Sequence, residues 1–80
     1  MSSTRTYTII LEPAEEGGFI VHVPALPEVG TCGDTEDEAM AMAQEAIELA
    51  IEHRLAIGES VPEEQPPRLR KLTVAVPEPA

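Results

Sequence analysis

One stretch of the chain, residues 36–57, contains no glycine or proline and is rich in alanine, which restricts the folds available to it. Thr35 precedes this stretch and Glu38 follows three positions later, the spacing of a capping box that starts a helix. Gly58 follows as a C-cap, and Arg54 lies near the end, where the helix dipole favours a cation. The sequence therefore predicts one helix roughly 33 Å long in a chain of 80 residues.

Four shorter segments have the alternation of apolar and polar residues that is typical of β-strands. Residues 6–11 and 19–23 flank a loop with two glycines, which predicts a β-hairpin. Residues 29–33 predict a short third strand before the helix. Residues 70–76 follow a proline-rich connector and predict a fourth strand.

The predicted order β-β-β-α-β places the chain in the α+β class, with an antiparallel sheet and one long helix on one face. A chain of this length forms one domain at most, so residues 1–80 are predicted to be a single domain. Residues 1–5 and 77–80 are predicted to be flexible ends. Such a small core is marginal by itself, which favours association with a partner.

The predicted helix has more apolar surface than one sheet requires. One face is mostly alanine and predicts close packing on the sheet, with Met42 and Leu49 filling its edge. A second apolar stripe lies roughly 80–160° away around the helix. This stripe either widens the contact with the core or forms an intermolecular interface, because exposed apolar patches on small domains commonly bind partners. We call it the second stripe; it consists of Met40, Ile47, Ile51 and Leu55.

The charge balance excludes several classes of function. The chain has 15 acidic and 5 basic residues, a formal net charge of −10. A surface of this kind repels phosphates, so neither nucleic-acid binding nor membrane binding is expected, whereas a basic protein is attracted. Cys32 is the single cysteine and no apolar run is long enough for a membrane span, so a cytoplasmic protein is expected.

No pattern of catalytic or metal-binding residues is found. His22 and His53 belong to no zinc-ligand spacing, and Cys32 has no histidine near it in sequence. The glycine pairs match no phosphate-binding loop. The sequence therefore predicts a protein that is not an enzyme, with no catalytic residue, no metal site and no cofactor.

An ordered set of short motifs resembles the HicB-type antitoxin family of toxin–antitoxin pairs. The carrying stretches are YTIILEP at 7–13, EEGGF at 15–19, VPALP at 23–27, GDTEDEA at 33–39, AQEAI at 43–47, GESVP at 58–62 and LTVAVP at 72–77. One departure occurs after Leu26-Pro27, where the family has a glycine and a cysteine and this chain has Glu28-Val29-Gly30. The start of the third strand is the feature that this departure affects.

The resemblance implies a degenerate ribonuclease-H-like sheet of order 3-2-1-4 without that fold's metal site. It also implies an antitoxin that sterically neutralises a small basic RNA-cleaving toxin resembling HicA. Opposite charges favour such an encounter. The chain matches the partner-binding domain without the DNA-binding tail of many family members, so no direct nucleic-acid binding is expected. The predicted toxin contacts are Glu12, Glu15, Glu16 and Glu28.

Two other functions remain open at this point. The same fold can serve as a stand-alone, homo-oligomeric protein-binding module without a toxin, using the second stripe as its interface. A metal-dependent nuclease that retains ribonuclease-H-like chemistry needs several carboxylates on the first strands, and these strands offer Glu12 alone.

Overall fold

A computed structural model describes residues 3–79. Three strands precede one helix: β1 (Ile10–Pro13), β2 (Phe19–His22), β3 (Gly30–Gly33) and α1 (Glu36–Ala56). The strands form an antiparallel sheet of order β1-β2-β3, with Leu11 opposite Val21 and Val21 opposite Thr31. The α+β class, the three antiparallel strands and the single long helix are as the sequence predicts.

The helix begins and ends close to the predicted positions because both ends are capped. The Thr35 hydroxyl accepts a hydrogen bond from the Glu38 backbone N–H at 3.1 Å. At the other end, the Ile57 N–H donates to the His53 carbonyl, and Gly58 has a positive φ of 87°. Both caps involve residues that are close in sequence, so they can be predicted without knowledge of the tertiary structure.

The core lies between α1 and the sheet, and α1 packs chiefly on β3 and less on β2. Small residues let the helix approach closely: Ala39 and Ala43 are fully buried. At Gly33 even a methyl group would collide with the backbone of Ala39, so glycine is required there by the approach of the helix. The buried core residues are Val21, Val23, Leu26, Val29, Ala39, Ala43 and Ile47.

The predicted first strand, 6–11, is shifted toward its C-terminal end. The turn at Gly17 and Gly18, both with positive φ, sets a register in which Ile10–Pro13 pairs with β2. Because β2 ends at His22, the residues before Ile10 extend past the last ladder pair. Residues 6–9 therefore have no strand partner in the described part of the chain.

The predicted fourth strand, 70–76, is wrong for this structure. No strand or helix is assigned between residues 59 and 79, and every residue from 68 to 79 is exposed. Its alternating sequence is suited to a strand, but a strand also needs a hydrogen-bonding neighbour, and none lies beside it among the described residues. We call residues 59–79 the C-terminal arm.

The structure also bears on the predicted edge of the core, the sheet order and the chain ends. Met42 and Leu49 do not fill the edge of the core, since they are 42 % and 60 % exposed, and Ile47 fills it instead. The sheet order agrees with 3-2-1 but lacks position 4, so the ribonuclease-H-like assignment stays a prediction. The flexible ends predicted at 1–5 and 77–80 fall partly on residues 1, 2 and 80, which lie outside the described residues.

Candidate functional site

An open groove of about 800 Å³ lies between residues 3–9 and the neighbouring flank of α1. We call it the edge groove because it lies beside β1, the strand at one edge of the sheet. Tyr7 and Ile9 contribute its wall on the sheet side and also pack against the core. The helix side is lined by all four residues of the second stripe: Met40, Ile47, Ile51 and Leu55.

The second stripe combines both interpretations that the sequence left open. Ile47 is buried in the core and Ile51 packs against it, so these two residues widen the core contact. Met40 and Leu55 are 43 % and 53 % exposed, so the stripe also extends into the open groove. The intermolecular interface predicted for the stripe therefore has an accessible apolar surface in this structure, and its use stays a prediction.

The C-terminal arm is fixed to the body of the protein at its first residues. The Tyr7 hydroxyl donates to the Pro62 carbonyl at 2.6 Å. The Thr8 backbone N–H and hydroxyl donate to the two carboxylate oxygens of Glu64, at 3.0 and 2.6 Å. These hydrogen bonds lower the pKa of Glu64. Sequence reasoning missed this anchor, because the partners are more than 50 positions apart and no local pattern connects them.

A second feature, which we call the acidic end, consists of Glu12, Glu15, Glu16 and Asp34. They line one shallow pocket where the β1–β2 turn meets the start of α1. Gly18 allows the turn to approach the start of α1 closely, because a methyl group at this position would overlap with the backbone of Gly33 and Asp34. The structure thus brings together three of the four carboxylates predicted to contact a toxin.

The fourth predicted contact, Glu28, lies apart from the acidic end and has a partner. Arg54 near the end of α1 donates from Nε and Nη2 to the two Glu28 oxygens, at 2.6 and 2.7 Å. This two-pronged hydrogen bond lowers the pKa of Glu28 from 4.5 to about 2. It ties the β2–β3 connection to the helix, which gives Glu28 a structural role.

His22 and Cys32 are two further side chains whose chemistry could serve catalysis. His22 Nε2 lies 2.9 Å from Glu12 Oε2 across the β1–β2 ladder, with both side chains more than half exposed. Cys32 is exposed in β3, whereas a lone cysteine in a short strand is typically a small buried residue. A nucleophile must lie within hydrogen-bond reach of its base, and among the described residues the hydrogen bond of the His22 side chain is to Glu12 and not to Cys32.

Within residues 3–79, no cluster of three or more His, Cys, Asp or Glu side chains is arranged to hold a metal ion. None of the helices in that range has the length and apolar character needed to cross a bilayer. What the described surface offers is an apolar groove and a carboxylate-rich end, both suited to contacts with another macromolecule.

Comparisons with known proteins point in the same direction. A family model described as a HicB-like antitoxin of bacterial toxin–antitoxin systems matches residues 7–78. "Antitoxin HicB 1" of Photorhabdus laumondii subsp. laumondii is 45 % identical over 56 residues, which cover 70 % of this chain. "Antitoxin HicB" of Escherichia coli K12 is 38 % identical over 56 residues, again 70 % of this chain.

The share of the relatives' own length differs between two kinds of match. The aligned segment spans 36 % of the Photorhabdus antitoxin and 41 % of the Escherichia coli antitoxin. It spans 81 % of "UPF0150 protein Ta0767" of Thermoplasma acidophilum, which is 41 % identical over 56 residues. The similarity to the two named antitoxins therefore concerns about two fifths of their length.

Proposed function

This chain belongs to the HicB-like antitoxin family, and from that premise we propose that it binds and sterically neutralises a small, basic, RNA-cleaving toxin resembling HicA. The chain takes no part in bond breaking in this proposal: it covers the RNA-binding surface of the toxin. Its partner is a protein, and no catalytic residue, metal ion or cofactor is required of the chain.

The observation that carries the proposal is the distribution of charge. Eleven of the fifteen acidic residues lie between positions 6 and 57, where Arg54 is the only Lys or Arg, so this stretch has a formal charge of −10. Arg54 is already engaged with Glu28. The acidic end thus lies on a body with no other Lys or Arg to pair with its carboxylates, and a toxin that binds RNA phosphates presents the complementary sign.

The acidic end is proposed as the surface that meets the toxin. Glu15 and Glu16 are exposed on the hairpin turn, and Glu12 and Asp34 stand beside them. A carboxylate-rich surface competes with RNA phosphates for the same Arg and Lys side chains. Glu28 stays a weaker proposed contact, because it must give up Arg54 to bind a toxin.

The test uses the protein encoded next to the gene for this chain, which the proposal expects to be small and basic. Purified full-length chain is expected to inhibit RNA cleavage by that protein at a 1:1 ratio. The double variant Glu15→Gln/Glu16→Gln is expected to inhibit at least about tenfold less well, since contacts to charged groups contribute about 1.5–3 kcal/mol each.

The matched control is Glu45→Gln/Glu52→Gln, which removes the same charge from two exposed residues of α1. This control is expected to inhibit like the wild type. Equal losses in both variants would mean that only net charge matters and not the acidic end. A neighbouring protein that is neither basic nor toxic would remove the partner from the proposal.

A stand-alone oligomeric module is the second candidate, favoured by the apolar edge groove. Oligomerisation through the groove is also compatible with toxin binding, because the groove and the acidic end are lined by different residues.

A further inference from the structure

Two segments of the chain have the sequence of a β-strand and yet belong to no sheet. Residues 6–9 continue β1 past the end of β2 and have no ladder partner in the structure as described. Residues 70–76 of the C-terminal arm alternate between apolar and polar side chains and are all exposed to solvent. Unpaired strand edges and exposed alternating segments are the two halves of a strand-addition interface.

The arm carries an apolar face that the body leaves uncovered. Leu72, Val74 and Val76 are 88 %, 64 % and 76 % exposed, and period-2 alternation places them on one side of an extended chain. Lys71, Thr73 and Ala75 lie on the other side. A row of large aliphatic side chains at such exposure is the signature of an interface that is formed with another molecule.

The edge groove matches this face in position and in chemistry. It lies beside residues 3–9, the part of the sheet edge that lacks a partner, and Ile9, Ile47 and Ile51 form its apolar lining. A strand added there can pair with the backbone groups of residues 6–9 other than the Thr8 N–H, which already donates to Glu64, and its apolar side chains can pack into the groove.

The arm of the same molecule contributes Val61 to this groove, but none of residues 69–76 lines it. Hydrogen bonds from Tyr7 and Thr8 hold the arm at Pro62 and Glu64. Pro66 and Pro67 keep the following chain extended. Thr73 is nine positions beyond Glu64, a reach of roughly 28 Å for an extended chain, and the apolar side chains of the arm are exposed, so they do not occupy the groove of their own molecule. The molecule accordingly measures 63 × 25 × 20 Å.

Charge also favours another copy as the partner. Three of the five basic residues, Arg68, Arg70 and Lys71, lie at the start of the apolar part of the arm. Glu48 lines the groove of the body, whose net charge of −10 attracts a basic segment. The arm as a whole has a formal charge of −1, so it is its basic segment at residues 68–71 that complements the negatively charged body when two copies meet.

We propose that the chain forms a dimer by reciprocal arm exchange, in which residues 69–76 of each copy add as a strand beside residues 6–9 of the other copy. Leu72, Val74 and Val76 then enter the partner's edge groove and cover Ile51 and Leu55. The proposal concerns contacts between two copies and does not rest on the antitoxin function, so either can fail without the other.

The first test is the mass of the full chain in sedimentation equilibrium. Wild type is expected at twice the 8.6 kDa of one copy at micromolar concentration. Leu72→Asp/Val74→Asp is expected at the mass of one copy. The matched control Thr73→Asp/Ala75→Asp adds the same charge on the opposite face of the arm and is expected to remain a dimer.

Amide hydrogen exchange of the wild type distinguishes arm exchange from other ways of associating. Strand addition predicts exchange at least about a hundredfold slower at alternate amides of residues 69–76, lost on dilution below the dissociation constant. A dimer formed by helix contact alone leaves these amides unprotected, and this would overturn the proposal. A monomeric wild type would also overturn it, including a monomer in which the chain's own arm pairs with the sheet. So would a Leu72→Asp/Val74→Asp variant that dimerises with an unchanged dissociation constant.

Discussion

At the scale of single residues, the approach between sheet and helix depends on Gly33. The position is the last of β3, and an added Cβ would lie 2.7 Å from the Ala39 Cα and close to the Glu38 carbonyl carbon. The neighbouring atoms are backbone, so no side-chain rotation can relieve the overlap. The helix must shift to accept any other residue.

Gly33→Ala is therefore expected to lower the free energy of unfolding by about 2–3 kcal/mol, which is typical of overpacking. Urea denaturation followed by circular dichroism measures the change. The matched control is Gly30→Ala at the other end of the same strand, where an added methyl group meets nothing within 4 Å. This control is expected to change stability by less than about 1 kcal/mol. Equal effects at both positions would contradict the close approach.

Sequence reasoning placed a glycine at the end of the third strand but could not find why it is needed. The reason is the backbone of Ala39, which comes close to Gly33 only once the helix is packed on β3. The same limit applies to Thr8 and Glu64, whose hydrogen bonds join distant parts of the chain. Contacts of this kind depend on the tertiary fold and leave no local pattern.

At the scale of elements, local signals decide what the sequence can predict. The helix was predicted to within one residue at its C-terminal end, since its caps and its composition are local. Residues 70–76 have an equally clear strand pattern and form no strand, because pairing requires a neighbour that the chain does not bring to them. Likewise, the acidic pattern predicted Glu28 as a free contact, and only the fold reveals Arg54 beside it.

The ion pair between Glu28 and Arg54 joins a loop to the helix, and it makes a pH-dependent contribution to stability. The pKa of Glu28 is about 2 in the folded state, below the ordinary value of 4.5. A lowered carboxyl pKa stabilises the fold fully above pH 4.5, and this stabilisation is lost as the pH falls toward 2. The pair is partly exposed, so water screens it and its contribution is small.

Glu28→Gln is expected to lower the melting temperature by a few degrees at pH 7, because the neutral amide keeps a hydrogen bond but loses the charge. The difference from the wild type is expected to shrink below pH 4.5 and to vanish near pH 2. Melting curves recorded by circular dichroism from pH 2 to 7 check this. A matched control is Glu63→Gln, an exposed carboxylate in the arm. A constant difference across the pH range would show that the effect is not due to ionisation.

At the scale of the whole molecule, the shape is that of a body with a projecting arm. The radius of gyration is 16.5 Å, whereas a compact chain of this length has about 12 Å. Charge is also uneven along the chain: residues 6–57 have a formal charge of −10, whereas the arm has a formal charge of −1 and carries three basic residues at 68–71. Two copies therefore repel each other through their bodies and attract each other through the contacts of arm and body.

Salt screens both the repulsion between the bodies and the attraction between arm and body, and these two changes have opposite effects on dimerisation. The contribution of the arm charges is therefore best measured as a difference between variants. Arg68→Gln/Arg70→Gln/Lys71→Gln is expected to weaken dimerisation about tenfold at low salt, since exposed charges contribute about 0.2–1 kcal/mol each. At 0.5 M NaCl the Debye length is about 4 Å, and the difference from the wild type is expected to disappear. Arg68→Lys/Arg70→Lys keeps the charge and is expected to dimerise like the wild type. Dissociation constants from sedimentation at both salt concentrations test this. If the affinity of the dimer stays lower in the glutamine variant at 0.5 M NaCl, these side chains contribute through packing and not through charge.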